Sequence, residues 1–310
     1  MDPKKVRSVL QKHILADGFE PIMDLEKSYG SWLVDQRDGV KYLDMFSMFA
    51  SGAVGYNHPY ILQNKEKLAI AACNKPTLSD IYNVYYAEFM QTFSSTAIPK
   101  YLPNAFFIEG GSLAVENALK VAFDWKVRKN LKNNKGEKGT KVIHFKEAFH
   151  GRSGYTLSLT NTDPVKTMYF PKFDWPRIVN PKLTFPLNEE NLDQVIKKEQ
   201  LAISQIKESI VEYPNDIAAI IIEPIQGEGG GNYFRDNFFV SLRQICDENE
   251  ILLIMDEVQT GLGITGKWWA HQHNSINPDI ISFGKKSQVC GILVGTRVEE
   301  VDDNVFKQSS

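Results

Sequence analysis

Apolar positions follow two patterns along this chain. Residues 1–60 open with a short amphipathic helical stretch and continue into SYGSWLVDQRDGVKYLDMF, where Gly30 and the Asp38-Gly39 pair punctuate short strand-like runs. Such a pair between strand-like runs predicts a hairpin. From about residue 61 helical and strand-like stretches alternate. Apolar runs at 105–108, 141–145, 217–222 (IAAIII), 251–255 (ILLIM) and 280–283 each predict a strand. After the first run, Val115, Ala118, Leu119, Ala122 and Phe123 recur at helical spacing. Strands this apolar, separated by helices, belong to a mainly parallel sheet covered by helices on both faces. The fold class is therefore α/β, with a small N-terminal segment (1–60) followed by one large domain (61–310). Residues 163–187, rich in proline and aromatics, predict a long ordered loop over the sheet.

Polar residues gather where these strands end: Glu109-Gly110-Gly111-Ser112, Glu223-Pro224, Asp256-Glu257 and Gly284-Lys285-Lys286. In open α/β sheets that carboxyl edge is where ligands bind. Composition changes the picture little. A net charge of -3 over 310 residues gives no electrostatic reason to expect nucleic acid or an anionic membrane. The N-terminus lacks a signal-peptide apolar core, and no run approaches the ~20 apolar residues of a membrane span. Cys73, Cys246 and Cys290 are scattered, odd in number and without metal spacing, which fits a reducing, cytoplasmic compartment.

Four segments carry candidate chemistry. Gly110-Gly111-Ser112 lies between a strand and a helix, where Ser112 can cap the helix and free N–H groups can hold a phosphate; a plain helix cap fits the same residues. Asp256, directly after a buried strand, is either a core acid with a hidden partner or a carboxylate that keeps a pyridine ring protonated. Lys285 and Lys286 end the strand at 280–283, 29 positions after Asp256, where a lysine amine can form an imine with an aldehyde cofactor; a solvent-facing pair is the alternative. In Phe149-His150-Gly151-Arg152, Phe149 can stack on a flat ring and Arg152 can hold a carboxylate with its fork. GLGITGK at 261–267 mimics a phosphate-binding loop, but Trp268 stands where magnesium needs Ser or Thr, and the loop follows the acidic strand instead of opening the domain. His144, His150, His271 and His273 lack the Cys/His set of a metal site.

Together the segments resemble the class III aminotransferases of fold type I, through LIMDEVQTG, TGKWWAHQH and PDIISFGKK, with EPIQGEGG at 223–230, FHGR at 149–152 and GYNHP at 55–59. The resemblance covers nearly the whole chain. It implies pyridoxal 5'-phosphate as cofactor and a homodimer with active sites at the interface. It implies that Lys285 forms the Schiff base and shuttles the proton, that Asp256 pairs with the pyridinium nitrogen, and that Gln259 bonds the ring hydroxyl. Gly111 and Ser112 would hold the phosphate and Phe149 would stack on the ring. Arg152 would bind the substrate carboxylate, Glu228 would act as a switch that masks a second arginine, and Glu223 would line the pocket. FHGRSGYTLSLTN with FGKKSQVCG is most similar to the members acting on the ε-amino group of L-lysine with 2-oxoglutarate as acceptor. The 4-aminobutyrate and ornithine enzymes are the alternative in the same family. Ile264 stands where many relatives carry arginine. The chain stops 25 residues after Lys285, whereas family members continue into a C-terminal domain with a phosphate-binding threonine and the arginine that Glu228 would mask. The expectation is a chain without that domain, with a catalytically inactive cofactor-binding fragment as the alternative of another class.

Overall fold

A computed structural model describes residues 1–77 and 80–307, so residues 78, 79 and 308–310 of the expected large domain lie outside it. The chain forms two compact units, Met1–Met90 and Gln91–Ser310. The first unit contains the expected hairpin: β1 (Trp32–Val34) pairs antiparallel with β2 (Lys41–Leu43). Gly39 takes φ +79° in the turn, a region closed to most side chains. Beside the turn, Arg37 lays its fork on buried Asp35, with Nη2 2.7 Å from Oδ2, and this hydrogen bond holds the Asp35 carboxyl down at about 2.

The second unit is built on a sheet of seven strands: β3 (Asn104–Ile108), β4 (Lys141–Phe145), β5 (Arg177–Ile178), β6 (Ile217–Ile222), β7 (Leu252–Asp256), β8 (Ile280–Phe283) and β9 (Cys290–Val294). Their spatial order is β3-β9-β8-β7-β6-β4-β5. The pairs from β8 across to β5 are parallel, whereas β9 runs antiparallel to both β8 and β3. Three long helices cover it: α1 (Gly111–Lys132), α2 (Glu189–Glu212) and α3 (Asp236–Glu248).

The apolar runs are continuous because both faces are buried, and the period of two sorts each run between two cores. Ala219, Ile221, Leu252, Ile254 and Ile280 pack with Val115, Ala118, Leu119, Ala122 and Trp125 of α1. Their neighbours Ile220, Ile222, Leu253, Met255, Ile281 and Phe283 pack with Ala202 and Ile206 of α2 and Phe238, Phe239 and Leu242 of α3. Two strands of this sheet, β5 and β9, are not among the runs expected from the sequence. Strand β5 lies inside the expected loop at 163–187 and holds only two residues. Strand β9 follows the lysine pair too closely for a crossover helix, and so it returns antiparallel.

Candidate active site

Side chains from the carboxyl ends of β4, β6, β7 and β8, and from the turn after β3, surround one cavity of about 310 Å³. Gly111, Ser112, Phe149, Glu223, Asp256 and Lys285 are among its lining residues. That volume is at the lower end for a small-molecule site.

Asp256 is the last residue of β7 and is buried. The β7–β8 register places it opposite Ser282, whose hydroxyl donates to Oδ1 at 2.9 Å. The Val258 N–H donates to the same oxygen at 3.1 Å, and His150 Nδ1 donates to Oδ2 at 2.7 Å. The sequence offers His150 only as a candidate metal ligand, and its place directly after Phe149 is the one signal that it lies at the site. Burial alone would pull the His150 pKa down. The hydrogen bond to Asp256, and the Asp256 and Glu223 charges, outweigh it and hold His150 above the ordinary histidine value. Its Nε2 is buried without a partner among the described residues. Glu223 follows β6 and accepts the Phe149 N–H at 2.9 Å. Burial pushes its carboxyl up to about 7, with the Asp256 charge adding to the rise.

Lys285 is half-buried, and its Nζ donates to Gln259 Oε1 at 3.1 Å. Burial lowers its pKa from the ordinary lysine value. Lys285 also holds φ +54°, a conformation uncommon for a residue with a side chain. Gln259 lies against Gly227, where an added Cβ would sit 2.5 Å from the amide nitrogen.

The turn after β3 differs in one respect from the sequence reading. Ser112 does not cap α1. The capping position is Gly110 at φ +94°, with no side-chain cap, and Ser112 lies within the first turn. Its hydroxyl instead accepts the Arg152 N–H at 3.3 Å. The first N–H groups of a helix have no partner within it, so α1 keeps donors for an anion. Gly151 closes this turn: at φ +113° it approaches Ser112 so closely that a Cβ would lie 2.1 Å from Oγ.

Two expected residues are not among the side chains lining this cavity. Arg152 is exposed. Glu228 forms an ion pair with Lys166, whose ammonium also lies 5.6 Å from the centre of the Phe149 ring. Glu257, by contrast, is fully buried and organises the segment that carries Gln259. Its carboxylate accepts from Thr260 Oγ1, the Ala270 N–H, the His271 N–H and His271 Nδ1 at 2.7–2.8 Å. The far side of His271 meets the Tyr101 hydroxyl at 2.7 Å. Lys267, in the look-alike phosphate loop, donates to the Gln272 carbonyl at 2.6 Å.

The family model described as aminotransferase class III matches residues 15–302. The chain is a class III aminotransferase. It is 50% identical over 308 residues to the L-lysine-epsilon aminotransferase of Mycobacterium tuberculosis, a match spanning 98% of this chain and 68% of that protein. It is 46% identical over 312 residues to the L-lysine-epsilon aminotransferase of Amycolatopsis lactamdurans, across 100% of this chain and 69% of the relative. The solved lysine aminotransferase from M. tuberculosis superposes with a TM-score of 0.96 at 50% identity, covering 100% of this chain and 72% of that one.

Class III aminotransferases use pyridoxal phosphate, and this chain is such an enzyme. The residues present fit the group. A carboxylate with acceptor capacity beyond its three donors stands at one part of the cavity, and a half-buried lysine amine at another. The helix start supplies N–H donors for a phosphate, and Gly111 and Gly151 leave the turn free of side chains where a Cβ would strike Val258 or Ser112. Among the described residues no helix is long and apolar enough to cross a membrane.

Proposed function

We propose that the chain transfers the ε-amino group of L-lysine to 2-oxoglutarate in two half-reactions, giving 2-aminoadipate 6-semialdehyde and L-glutamate. The observation that carries this reading is the 50% identity, over 98% of the chain, to a protein named for the lysine ε-amino reaction. When bound, pyridoxal phosphate supplies an aldehyde that accepts amines and a pyridine ring that withdraws electrons once protonated. Asp256 would hold a proton at the ring nitrogen, and its own orientation is fixed by Ser282, Val258 and His150. Gly111 and Ser112 would receive the phosphate, Phe149 would cover the ring, and Gln259 would reach the ring hydroxyl. Lys285 would hold the cofactor through its Nζ, and the same amine would move a proton at the substrate carbon that bears the reacting nitrogen. Its lowered pKa suits that task, because the neutral amine is the reactive form. Arg152 takes the substrate carboxylate and Glu223 borders the pocket. Glu228 serves as the switch between amino donor and dicarboxylate acceptor.

We also propose a cytoplasmic homodimer. In its support, the first unit leaves large apolar side chains exposed, among them Phe19, Leu25, Tyr42, Phe49 and Tyr60. Turnover of L-lysine, ornithine and 4-aminobutyrate, each with 2-oxoglutarate, tests the substrate. Lysine should be turned over fastest, and an absence of lysine turnover alongside use of another donor rejects it. Lys285→Ala should abolish the absorbance of lysine-bound cofactor, and an unchanged spectrum in that variant rejects the lysine assignment.

A further inference from the structure

The carboxylate expected to switch with the substrate, Glu228, stands outside the cavity, and its surroundings explain why. It belongs to a turn whose backbone has little freedom. Gln226 and Asn232 pair through both backbone hydrogen bonds, at 3.0 and 2.9 Å. The buried Gln226 side chain accepts the Asn180 and Asn232 amides at 2.8 Å each and donates to the Lys146 carbonyl at 3.1 Å. On either side of Glu228 stands a glycine with no room for a side chain. A Cβ on Gly227 would lie 2.5 Å from the Gln259 amide nitrogen, and one on Gly229 would lie 2.2 Å from the Glu147 carbonyl oxygen. Movement here therefore belongs to the Glu228 side chain, whose staggered torsions can aim it in several directions. Its carboxylate pairs with Lys166. Lys166 is anchored by the short turn Pro164–Lys166, where Asp163 accepts the Val165 N–H at 3.0 Å. The Lys166 ammonium also lies 5.6 Å from the centre of the Phe149 ring, which lines the cavity. Two pinned stretches thus bring opposite charges together beside Phe149, on side chains 30% and 33% exposed, so either end is free to leave the other.

We propose that Lys166 is a positioning residue for the acceptor half of transamination: it holds the Glu228 carboxylate beside Phe149, clear of the cavity, so that a dicarboxylate can enter. The inference rests on Glu228 as the switch between amino donor and dicarboxylate acceptor. An acidic side chain at the mouth of a site repels a second carboxylate and attracts an ammonium group, so its place decides which substrate is favoured. A charge that moves between two places needs a partner at each, because a conformation is populated only as far as its own contacts favour it. Lys166 supplies the partner at the outer place. The Glu228 charge still reaches the Lys285 amine and draws it toward the charged form, so the carboxylate stands near enough to return. A partly exposed ion pair is weak and biases such an equilibrium by a factor of up to about five. That weakness suits the role. A much stronger pair would keep Glu228 on Lys166 through both half-reactions, and no pair at all would leave it to oppose each acceptor that enters. The Phe149 ring attracts the Lys166 ammonium as well, which keeps the cation in place when the carboxylate departs.

The test is the binding of glutarate, a dicarboxylate without the keto group, to the cofactor-loaded enzyme, followed by the change in cofactor absorbance. The apparent affinity for L-lysine is read from the same absorbance. Lys166→Met keeps an apolar stem beside Phe149 and removes the charge. It should weaken glutarate binding by about threefold to fivefold, the bias of one partly exposed ion pair, without weakening that of L-lysine. Lys166→Arg keeps the charge and should bind glutarate as the unaltered enzyme does. In a Glu228→Gln background, Lys166→Met should have no further effect, because the carboxylate it positions is gone. A loss that persists in that background shows Lys166 acting on the ligand directly and overturns the inference. Unchanged glutarate binding in Lys166→Met overturns it too, as do equal losses for glutarate and L-lysine, which mark a structural role. The switch itself is judged by Glu228→Gln alone, which should shift the preference between glutarate and L-lysine. An unaltered preference there, or no response to glutarate in the unaltered enzyme, rejects the reading of Glu228 and this inference with it.

Discussion

Three ionisable side chains, Glu223, His150 and Asp256, share one buried corner of the site, and what each can do depends on the others. Glu223 is the member whose titration is best defined. Its carboxyl ordinarily releases a proton near 4.5, whereas burial in the folded chain holds that proton up to about 7. Between those values the folded state binds more protons than the unfolded one, so stability falls as pH rises through the window and levels off above it. The span corresponds to about 3 kcal/mol. His150, held above the ordinary histidine value, adds a decline of the same sign above about 6.5. Denaturant titrations of the cofactor-free protein from pH 4.5 to 8 should show both declines. Glu223→Gln, which still accepts the Phe149 N–H through its amide oxygen, should flatten the lower one; an unaltered slope would show that Glu223 titrates normally. At this scale much of the site was legible. Lys285, Asp256, Gln259, Phe149 and Ser112 stand in polar stretches that follow apolar runs, where strand chemistry announces them. The place of His150 was hidden because it depends on a contact with Asp256, 106 positions away in sequence.

Elements hold these residues in place through turns that tolerate very little extra volume. Gly151→Ala would put a methyl group against Ser112 at a φ of +113°, so it should cost at least ~2 kcal/mol and weaken phosphate binding. Thermal melts and titration with pyridoxal phosphate check both effects. The segment from Glu257 to His271 depends on a single carboxylate with four donors. In Glu257→Gln one oxygen becomes an NH₂ that faces donors, a loss on the order of 3 kcal/mol. Because Gln259 rides on this segment, the variant should also bind the cofactor less tightly, and a wild-type affinity would show that the network is not needed to hold Gln259. Sequence alone identified the strands at the centre of the sheet because double burial leaves only apolar residues there. It could not reveal the missing cap of Ser112, since a serine after two glycines reads equally well as a cap or as a residue of the first turn.

At the scale of the whole molecule, the mainly parallel sheet came out of the alternation of apolar runs and helices, while its reversal at β9 did not. A run such as CGILV carries no mark of direction; only the shortness of the preceding turn does. Hydrogen exchange should follow burial across the two units. The amides of β6 and β7, covered on both faces, should exchange last, and those of the more exposed first unit should exchange first. Comparable protection in β1 and β2 would contradict this order. The reversal also limits how the reactive turn can change in length. Residues 284–289 join two strands of the same sheet, and β9 is paired on both sides, with β8 and with β3. Replacing a residue in this turn alters local chemistry. Inserting or deleting one would slide β9 past both neighbours and exchange the faces of Ile292 and Leu293, which belong to opposite cores. The segment bearing Lys285 is thus fixed in length, and outside Gly284 and the lysines its composition is less constrained than its length. Libraries built for new substrates can sample positions 287–289, while a single-residue deletion should remove the soluble protein altogether.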